Sequence, residues 1–337
     1  GLAAAIAARQ SGLDVILADR ALPPIDKACG EGLMPDGIAA LRQLGVELPT
    51  LQGAPFRGIR FIDRGRSAQA GFAAGAGPNW GRGMRRPELQ QLLLERAERV
   101  GVQCFWKREI EAVAPGAVTI GSHEVRCRFV VGADGMQSKL RRWSAIAPAW
   151  GATQRIGLRQ HFRTRLWTDF VEVYWQPGRQ AYVTPVAADE VCVALIADRP
   201  GTRFADLAPA FPDLVRRLRD AEAVGGTRGS ISMSMKLRHV TANQLALIGD
   251  ASGSVDAITG EGMALAFRQA LALGPALAQD DLAAYERAHR RMARLPRLMS
   301  RLLLLMGRHQ TLRTGAMAVL ASQPRLFEKL LAIHVGH

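Results

Sequence analysis

The sequence predicts an α/β fold in which a mainly parallel sheet is interrupted by an antiparallel one. Three observations carry this. The opening stretch GLAAAIAARQSGLDVILADR reads as a helix stopped at Gly12 and a strand ending at Asp19, the second half of a βαβ unit. Two later strands, in CRFVVGADG and NQLALIGDASG, are continuous apolar runs, the pattern of strands covered on both faces. Between them RIGLRQHFRT, DFVEVYWQP, QAYVTPV and EVCVALIA are β-like runs separated by turn residues, as in an antiparallel sheet with one wet face.

The remaining elements follow in order. LGVELP at 44–49 closes a short helix that starts near Pro35 and Asp36, with Gly45 as its stop. Residues 57–72 alternate as a β-hairpin. GMRRPELQQLLLERAERVGVQCFW gives a helix with Pro87 in its first turn and Gly101 at its end, then a strand. Residues 109–127 read as short antiparallel strands. GAGPNWGRG at 75–83 contains G-x-G with no helix directly after it and reads as a loop. From Gly262 the chain is helical, through GMALAFRQALALG and several Leu/Arg-rich helices. The predicted domains are therefore interleaved: 1–60, 80–150 and 236–280 form the nucleotide-type α/β part, 61–79 and 151–235 the antiparallel sheet, and 281–337 a C-terminal helical region.

Composition narrows the class. The 337 residues are 48% hydrophobic and 22% charged, enough to bury a large core and incompatible with a disordered or fibrous chain. Cys29, Cys104, Cys127 and Cys192 are far apart with no CxxC pair, which argues against a disulfide framework or a zinc site and for a reducing, cytoplasmic setting. No signal-type stretch opens the sequence, and the apolar run at 302–306 is too short to span a bilayer. The net charge of +14 is mostly arginine, with five lysines among 44 basic residues. Without a basic tail or a basic–aromatic block, nucleic acid is not an expected partner. The arginines are read instead as codon bias in a GC-rich genome, spread over helix faces, with attraction of an anionic cofactor such as NADPH as an intermediate reading.

Three motifs carry chemistry. In the opening stretch Gly1 is placed to be the last glycine of a G-x-G-x-x-G turn, and Ala3, Ala4, Ala5, Ala7 and Ala8 let the helix lie close to a sheet. Asp19 ends the next strand, where a carboxylate accepts ribose hydroxyls. Alone, an alanine-rich helix and a strand are common. In VVGADGMQSKLRR a buried strand ends at Asp134 and Gly135, where an ordinary Asp-Gly turn would look the same. In LALIGDASGSVDAITGEGMALAF a strand delivers Gly249 and Asp250, and Gly260, Glu261 and Gly262 open a long helix. Asp250 is placed to accept from a polyol, and the helix N-terminus offers N–H groups to a partly anionic ring.

At these stretches the chain resembles the flavoprotein superfamily of p-hydroxybenzoate hydroxylase and geranylgeranyl reductase. GDASGSVDAITGEGMALAF and KACGEGLMP at 27–35 are similar to the geranylgeranyl reductase version. The resemblance implies a Rossmann-like FAD-binding domain of the GR2 type, FAD as cofactor, and NADPH or NADH as a transient reductant. It implies that Gly1, Asp19 and Arg20 meet the ADP half. Lys27, Cys29 and Gly30 lie in a loop by the cofactor, and Arg86 reaches the phosphates or ribityl. Asp134 and Gly135 lie near the cofactor, Gly249 and Asp250 hold the ribityl chain, and Gly260, Glu261, Gly262 and Met263 flank the isoalloxazine. By the same pattern the first strand and first two glycines of the motif would precede Gly1. The chain is thus expected to be part of a longer protein and to bind FAD weakly as it stands.

The implied activity is that of a FAD-dependent oxidoreductase. The favoured expectation is an NAD(P)H-using monooxygenase that hydroxylates or epoxidises an aromatic or lipophilic metabolite with O2 through a flavin hydroperoxide. The alternatives are reduction of isoprenoid or other unsaturated-lipid double bonds, and a flavin-binding module without turnover. The reductases carry a Tyr-x-Trp-x-Phe-Pro segment, but QAYVTPV keeps only Tyr182 and Pro185, which weighs against prenyl-lipid reduction. The Trp-x-Trp-x-x-Ile-Pro run of flavin-dependent halogenases is missing. Tyr174, Tyr182 and Pro185 are expected on the substrate side. Arg159, His161 and Arg163 alternate on one strand face, expected to be solvated. The flavin carries the chemistry and no catalytic side chain is named. Cys29 is read as a small side chain in a loop folded over the cofactor, with a redox role as its alternative. His161, His239 and His289 are expected to be structural, and no metal is expected. The basic, amphipathic C-terminal helices are expected to pack on the body, with weak membrane-surface association as the alternative.

Overall fold

Helix α1 (Leu2–Gln10) is made of side chains small enough for backbones to meet: Ala3 to Ala8 are all buried in the main core. Its partner is the long helix α7 (Gly262–Ala278). At Gly274 the two approach so closely that a Cβ would stand 2.5 Å from the Ala7 carbonyl oxygen, so only glycine fits there. The computed structural model that shows this describes residues 1–73, 79–147, 153–198 and 203–335.

After α1, strand β1 (Ile16–Asp19) runs parallel to β7 (Gln103–Trp106), pairing Asp19 with Trp106. Strand β11 (Val130–Gly132) runs parallel to β18 (Leu245–Leu247), whose other neighbour is β17 (Thr241–Ala242). Gly1 faces both pieces of this parallel layer: a Cβ there would lie 3.7 Å from Leu17 and 3.9 Å from Ala133. Helix α3 (Arg86–Arg99) packs beside α1, and α2 (Pro35–Gln43) packs against α7. Strands β8 (Ile110–Ala114), β9 (Ala117–Ile120) and β10 (His123–Arg126) form the expected antiparallel meander, followed after β11 by α4 (Lys139–Trp143).

The second layer is a seven-stranded sheet in the order β16-β12-β15-β14-β13-β4-β5. Strands β12 (Thr153–Arg163), β13 (Val171–Gln176), β14 (Arg179–Ala187) and β15 (Glu190–Ala197) are the four runs seen in the sequence. The hairpin of β4 (Gly58–Asp63) and β5 (Arg66–Gly71) extends the sheet through a parallel β4–β13 pairing. Strand β16 (Glu222–Ser234) was not visible in the sequence, because EAVGGTRGSISMS is glycine-broken and weakly alternating. The expectation of one wet face is corrected. Strands β14 and β15 are buried along almost their whole length. One face packs on Phe211 and Leu214 near the short helices α5 (Phe204–Leu207) and α6 (Pro212–Arg217), and the other faces the cavity described below.

A small sheet of β2 (Gly32–Leu33), β3 (Ala54–Phe56) and β6 (Gly81–Gly83) joins the layers. Gly81–Gly83 is therefore strand and not loop, because its backbone pairs with both neighbours; residues 75–78 of that expected loop lie outside the described residues. Helices α8 (Leu282–Met292), α9 (Arg294–Arg308), α10 (Gln310–Ser322) and α11 (Pro324–His334) complete the chain. Leu303, Leu304 and Met306 of α9 pack with Val173 and Trp175, while Met317, Phe327 and Leu331 of α10 and α11 pack with Ala68 and Ala70 of β5.

Candidate active site

The two layers enclose a cavity of about 1990 Å³. That is well above the few hundred to about 1000 Å³ of an ordinary small-ligand pocket, and it has two ends.

One end is a groove over the parallel strands. Gly1 at the N-terminus of α1, Asp19 at the end of β1 with Arg20 after it, and Asp134 and Gly135 after β11 line it. The Asp134 carboxylate is partly engaged, since Oδ2 accepts from the backbone N–H groups of Lys139 (2.7 Å) and Leu140 (3.2 Å) at the start of α4, which Ser138 caps. Lys27 and Arg86 also line the groove. Among the described residues neither has an ion-pair partner, and Arg86 Nη1 is buried without a hydrogen bond. A guanidinium nitrogen buried without a partner calls for an anion. With the α1 N-terminus, it fits the phosphates of a dinucleotide.

Farther along, Gly249, Asp250, Gly260, Gly262 and Met263 line the same wall. Asp250 is open to the cavity yet surrounded by protein, and this burial raises its carboxyl pKa above the usual range, opposed by Lys27. Glu261 departs from the expected arrangement. It is not on the cavity wall but lies buried behind it, with Oε2 3.6 Å from His334 Nδ1. Burial and the neighbouring Asp36 push its carboxyl up to about 8. The cause is local: Glu261 caps α7 by its backbone, so its side chain turns under the helix toward α11.

The loop 27–32 forms the floor. Cys29 is half-buried, with its sulfur 3.9 Å from Met263 Sδ, and burial raises its thiol pKa, so the thiol stays protonated. Glu31 has φ +59° and is 1% exposed. Its Oε1 accepts from the Arg86 N–H at 3.0 Å, at the start of α3, and its Oε2 lies 2.6 Å from His161 Nε2. His161 Nδ1 lies 2.9 Å from Arg159 Nη1, and Arg159 also pairs with Asp26. Arg159 and His161 are thus buried, against the expectation of a solvated face; only Arg163 is exposed. They point inward because loop 26–31 lies on that face and supplies two carboxylates. Glu31, His161 and the buried Cys192 thiol bring one ligand-type atom each within 4.8 Å of one another. No local spacing could reveal that group, whose members lie on three separate segments. His289 is buried, and its Nε2 shares a hydrogen bond with Ser252. Burial lowers its imidazole pKa to about 4.

The other end of the cavity lies between the sheet and α9–α11. Val173, Tyr182, Ile258, Leu303, Met306 and Phe327 line it, and the Tyr182 hydroxyl donates to the Ile258 carbonyl at 2.9 Å. Register decides which strand residues reach it. Val173 opposes Tyr182, and Tyr182 opposes Ala194, so these share the cavity face. Tyr174 is one residue out of phase and points to the opposite core, where its hydroxyl donates to Glu172 at 2.6 Å. Pro185 is likewise out of phase, and its neighbour Thr184 reaches the cavity instead. The expected substrate-side roles of Tyr174 and Pro185 are corrected accordingly.

The FAD binding domain family matches residues 1–160. The chain is 28% identical over 287 residues to the menaquinone reductase of Mycobacterium tuberculosis (strain ATCC 25618 / H37Rv), covering 78% of this chain and 70% of that protein. It is 28% identical to the putative 2-heptyl-3-hydroxy-4(1H)-quinolone synthase AqdB1 of Rhodococcus erythropolis, over 83% of this chain and 77% of that one. It is 23% identical to digeranylgeranylglycerophospholipid reductase 2 of Methanopyrus kandleri, over 78% and 70%. In fold it matches a flavoprotein/dehydrogenase from Cytophaga hutchinsonii with a TM-score of 0.86 at 18% identity, over 100% of this chain and 90% of that one. It also matches the flavin-dependent halogenase CmlS with a TM-score of 0.78 at 19% identity, over 91% of this chain and 61% of that one. Residues 1–160 thus match a FAD binding domain, and the relatives are consistent with the FAD-dependent superfamily of p-hydroxybenzoate hydroxylase and geranylgeranyl reductase.

Proposed function

We propose that the protein is a FAD-dependent reductase of a carbon–carbon or quinone double bond in a lipophilic substrate, with NADH or NADPH as electron source. The observation that carries this is the cavity. Its groove end fits FAD, and it runs without interruption into an apolar end large enough for a second, oily molecule. FAD bound there supplies two-electron transfer. The chain's own residues do the rest. Gly1, Lys27 and Arg86 would hold the phosphates, and Gly249, Asp250, Gly260 and Gly262 the ribityl and ring. Tyr182, Val173 and Ile258 would exclude water from the substrate. The Cys29 thiol, kept protonated by burial, holds a proton on the cavity wall for the atom that does not receive the hydride. The named reductases among the relatives support this reading.

The test is anaerobic. Chain reconstituted with FAD and given NADPH, or NADH, should reduce menaquinone or a geranylgeranyl ether lipid and release the reduced product. No product from either, with the flavin itself reduced by the nicotinamide, would reject the reading.

Oxygenation of an aromatic or lipophilic metabolite is the second reading. It is supported by the Rhodococcus relative, whose named product carries a ring hydroxyl. It requires the same FAD groove, and its signature is ¹⁸O from labelled O2 in the product. Bound FAD with neither outcome would instead support a module without turnover.

A further inference from the structure

The C-terminal helices carry a surface that the reaction does not use. On α9, Arg294, Leu298, Arg301, Leu305 and Arg308 follow one another at spacings of four and three, so they form a single stripe of alternating charge and leucine. All five are exposed; Leu298 and Leu305 are 52% and 43% exposed. On α11, Leu326, Leu330 and Ile333 form a second exposed apolar stripe beside Arg325 and Lys329. The two helices touch. From 287 to the last residue there are ten basic side chains and one acidic one, Glu328, a net +9 with histidines neutral. Among the described residues Arg294, Arg301, Arg308, Arg325 and Lys329 have no ion-pair partner. Like charges crowd along the stripe: burial first, then Arg301, lowers the pKa of Arg297.

The patch is also continuous with the cavity. Leu302 of α9, Val319 of α10, and Leu326 and Leu330 of α11 are at once among the exposed large side chains and among the residues that line it. An exposed apolar surface therefore leads inward to the substrate end. No helix among the described residues is long and apolar enough to cross a membrane. A helix face of leucines flanked by arginines, whose stems are apolar and whose heads reach outward, fits the interface of a bilayer, and unpaired positive charge selects an anionic one.

We propose that α9 and α11 dock this protein on an anionic lipid bilayer, with the cavity mouth facing the lipid. The surface stands apart from the FAD groove, so it is tested without activity. The FAD-reconstituted chain is sedimented with phosphatidylcholine vesicles that contain about 30 mol% phosphatidylglycerol, and with pure phosphatidylcholine vesicles. Expected is about tenfold more protein on the anionic vesicles, falling as salt rises. Leu298→Glu with Leu305→Glu should remove binding, and Arg294→Gln with Arg301→Gln and Arg308→Gln should lower it about tenfold, since each arginine contributes to surface attraction. Neither set lines the cavity, and flavin content and melting temperature should be unchanged. Equal sedimentation with both vesicles, or none, would overturn the proposal. So would light scattering that shows a dimer dispersed by the Leu298→Glu pair, which would make the patch an interface between copies.

Discussion

His161 Nε2 stands 2.6 Å from Glu31 Oε2, with both side chains buried and the two residues 130 positions apart in sequence. Arginine only donates, so the Arg159 contact makes His161 Nδ1 an acceptor and leaves the hydrogen on Nε2, pointed at Glu31. The same carboxylate holds the first N–H of α3 through its other oxygen. One buried pair thus ties the cofactor loop, the substrate sheet and the Arg86 helix together. His161→Ala leaves a buried carboxylate without its donor and should destabilise the protein by about 3 kcal/mol. His161→Gln, which keeps an N–H donor, should cost less than half of that. Urea midpoints at a common m-value check both. Equal loss in the two variants would assign His161 to packing alone.

Arg86 has the opposite signature. Its backbone N–H is used by Glu31, but among the described residues its guanidinium has no hydrogen-bond or ion-pair partner. Arg86→Met should therefore leave apo-protein stability within about 0.5 kcal/mol. It should weaken FAD binding about tenfold or more, the loss of a charge-assisted contact of about 1.5–3 kcal/mol. Flavin absorbance per protein after gel filtration, set beside the melting temperature of the apo form, separates the two effects. A melting temperature that falls as FAD is lost would place the arginine in the fold.

How much of this was legible follows from the range of each interaction. The alanine run of α1, the Pro87 start of α3 and the glycines before α7 are patterns written within a few consecutive residues, and the sequence displays them. The Asp26–Arg159–His161–Glu31 chain is non-local. Alternating charged residues on a strand usually mark a wet face, and only loop 26–31 folded over that face makes them buried. Tyr174 and Tyr182 were equally plausible as substrate contacts, because which face each takes depends on register, which no single strand encodes. Strand β16 was hidden by its own glycines, and its place is set by pairing with β12.

Glu261 gives a pH dependence with a definite sign. Its folded carboxyl is raised to about 8 from an ordinary value of 4.5, by burial and by Asp36. The folded state therefore holds a proton that the unfolded state releases. The stabilisation is complete below pH 4.5 and is lost as pH rises through about 8. His334 across from it has its pKa lowered by burial, so at neutral pH this contact joins two neutral groups and not an ion pair. Glu261→Gln should flatten the stability profile between about pH 4.5 and 8 and make the variant the more stable protein above that window. Denaturation midpoints across that range check it, and parallel profiles for the two proteins would refute the assignment.

Cys29 decides between the chemical readings of the floor loop. Burial raises its thiol pKa above the ordinary value of 9.0, so the thiol is a proton carrier and not a nucleophile at neutral pH. If that proton completes double-bond reduction, Cys29→Ala should slow single-turnover reduction of the substrate by about 10²-fold, the usual scale for a positioned acid. FAD content and the rate of flavin reduction by the nicotinamide should not change, because neither needs the proton. Cys29→Ser, which keeps a hydroxyl donor, should recover part of the rate. The wild-type rate should fall only on the alkaline side, at higher pH than an ordinary thiol would give, as the thiol ionises. A Cys29→Ala variant as fast as wild type would return Cys29 to the role of a small side chain filling the loop against Met263.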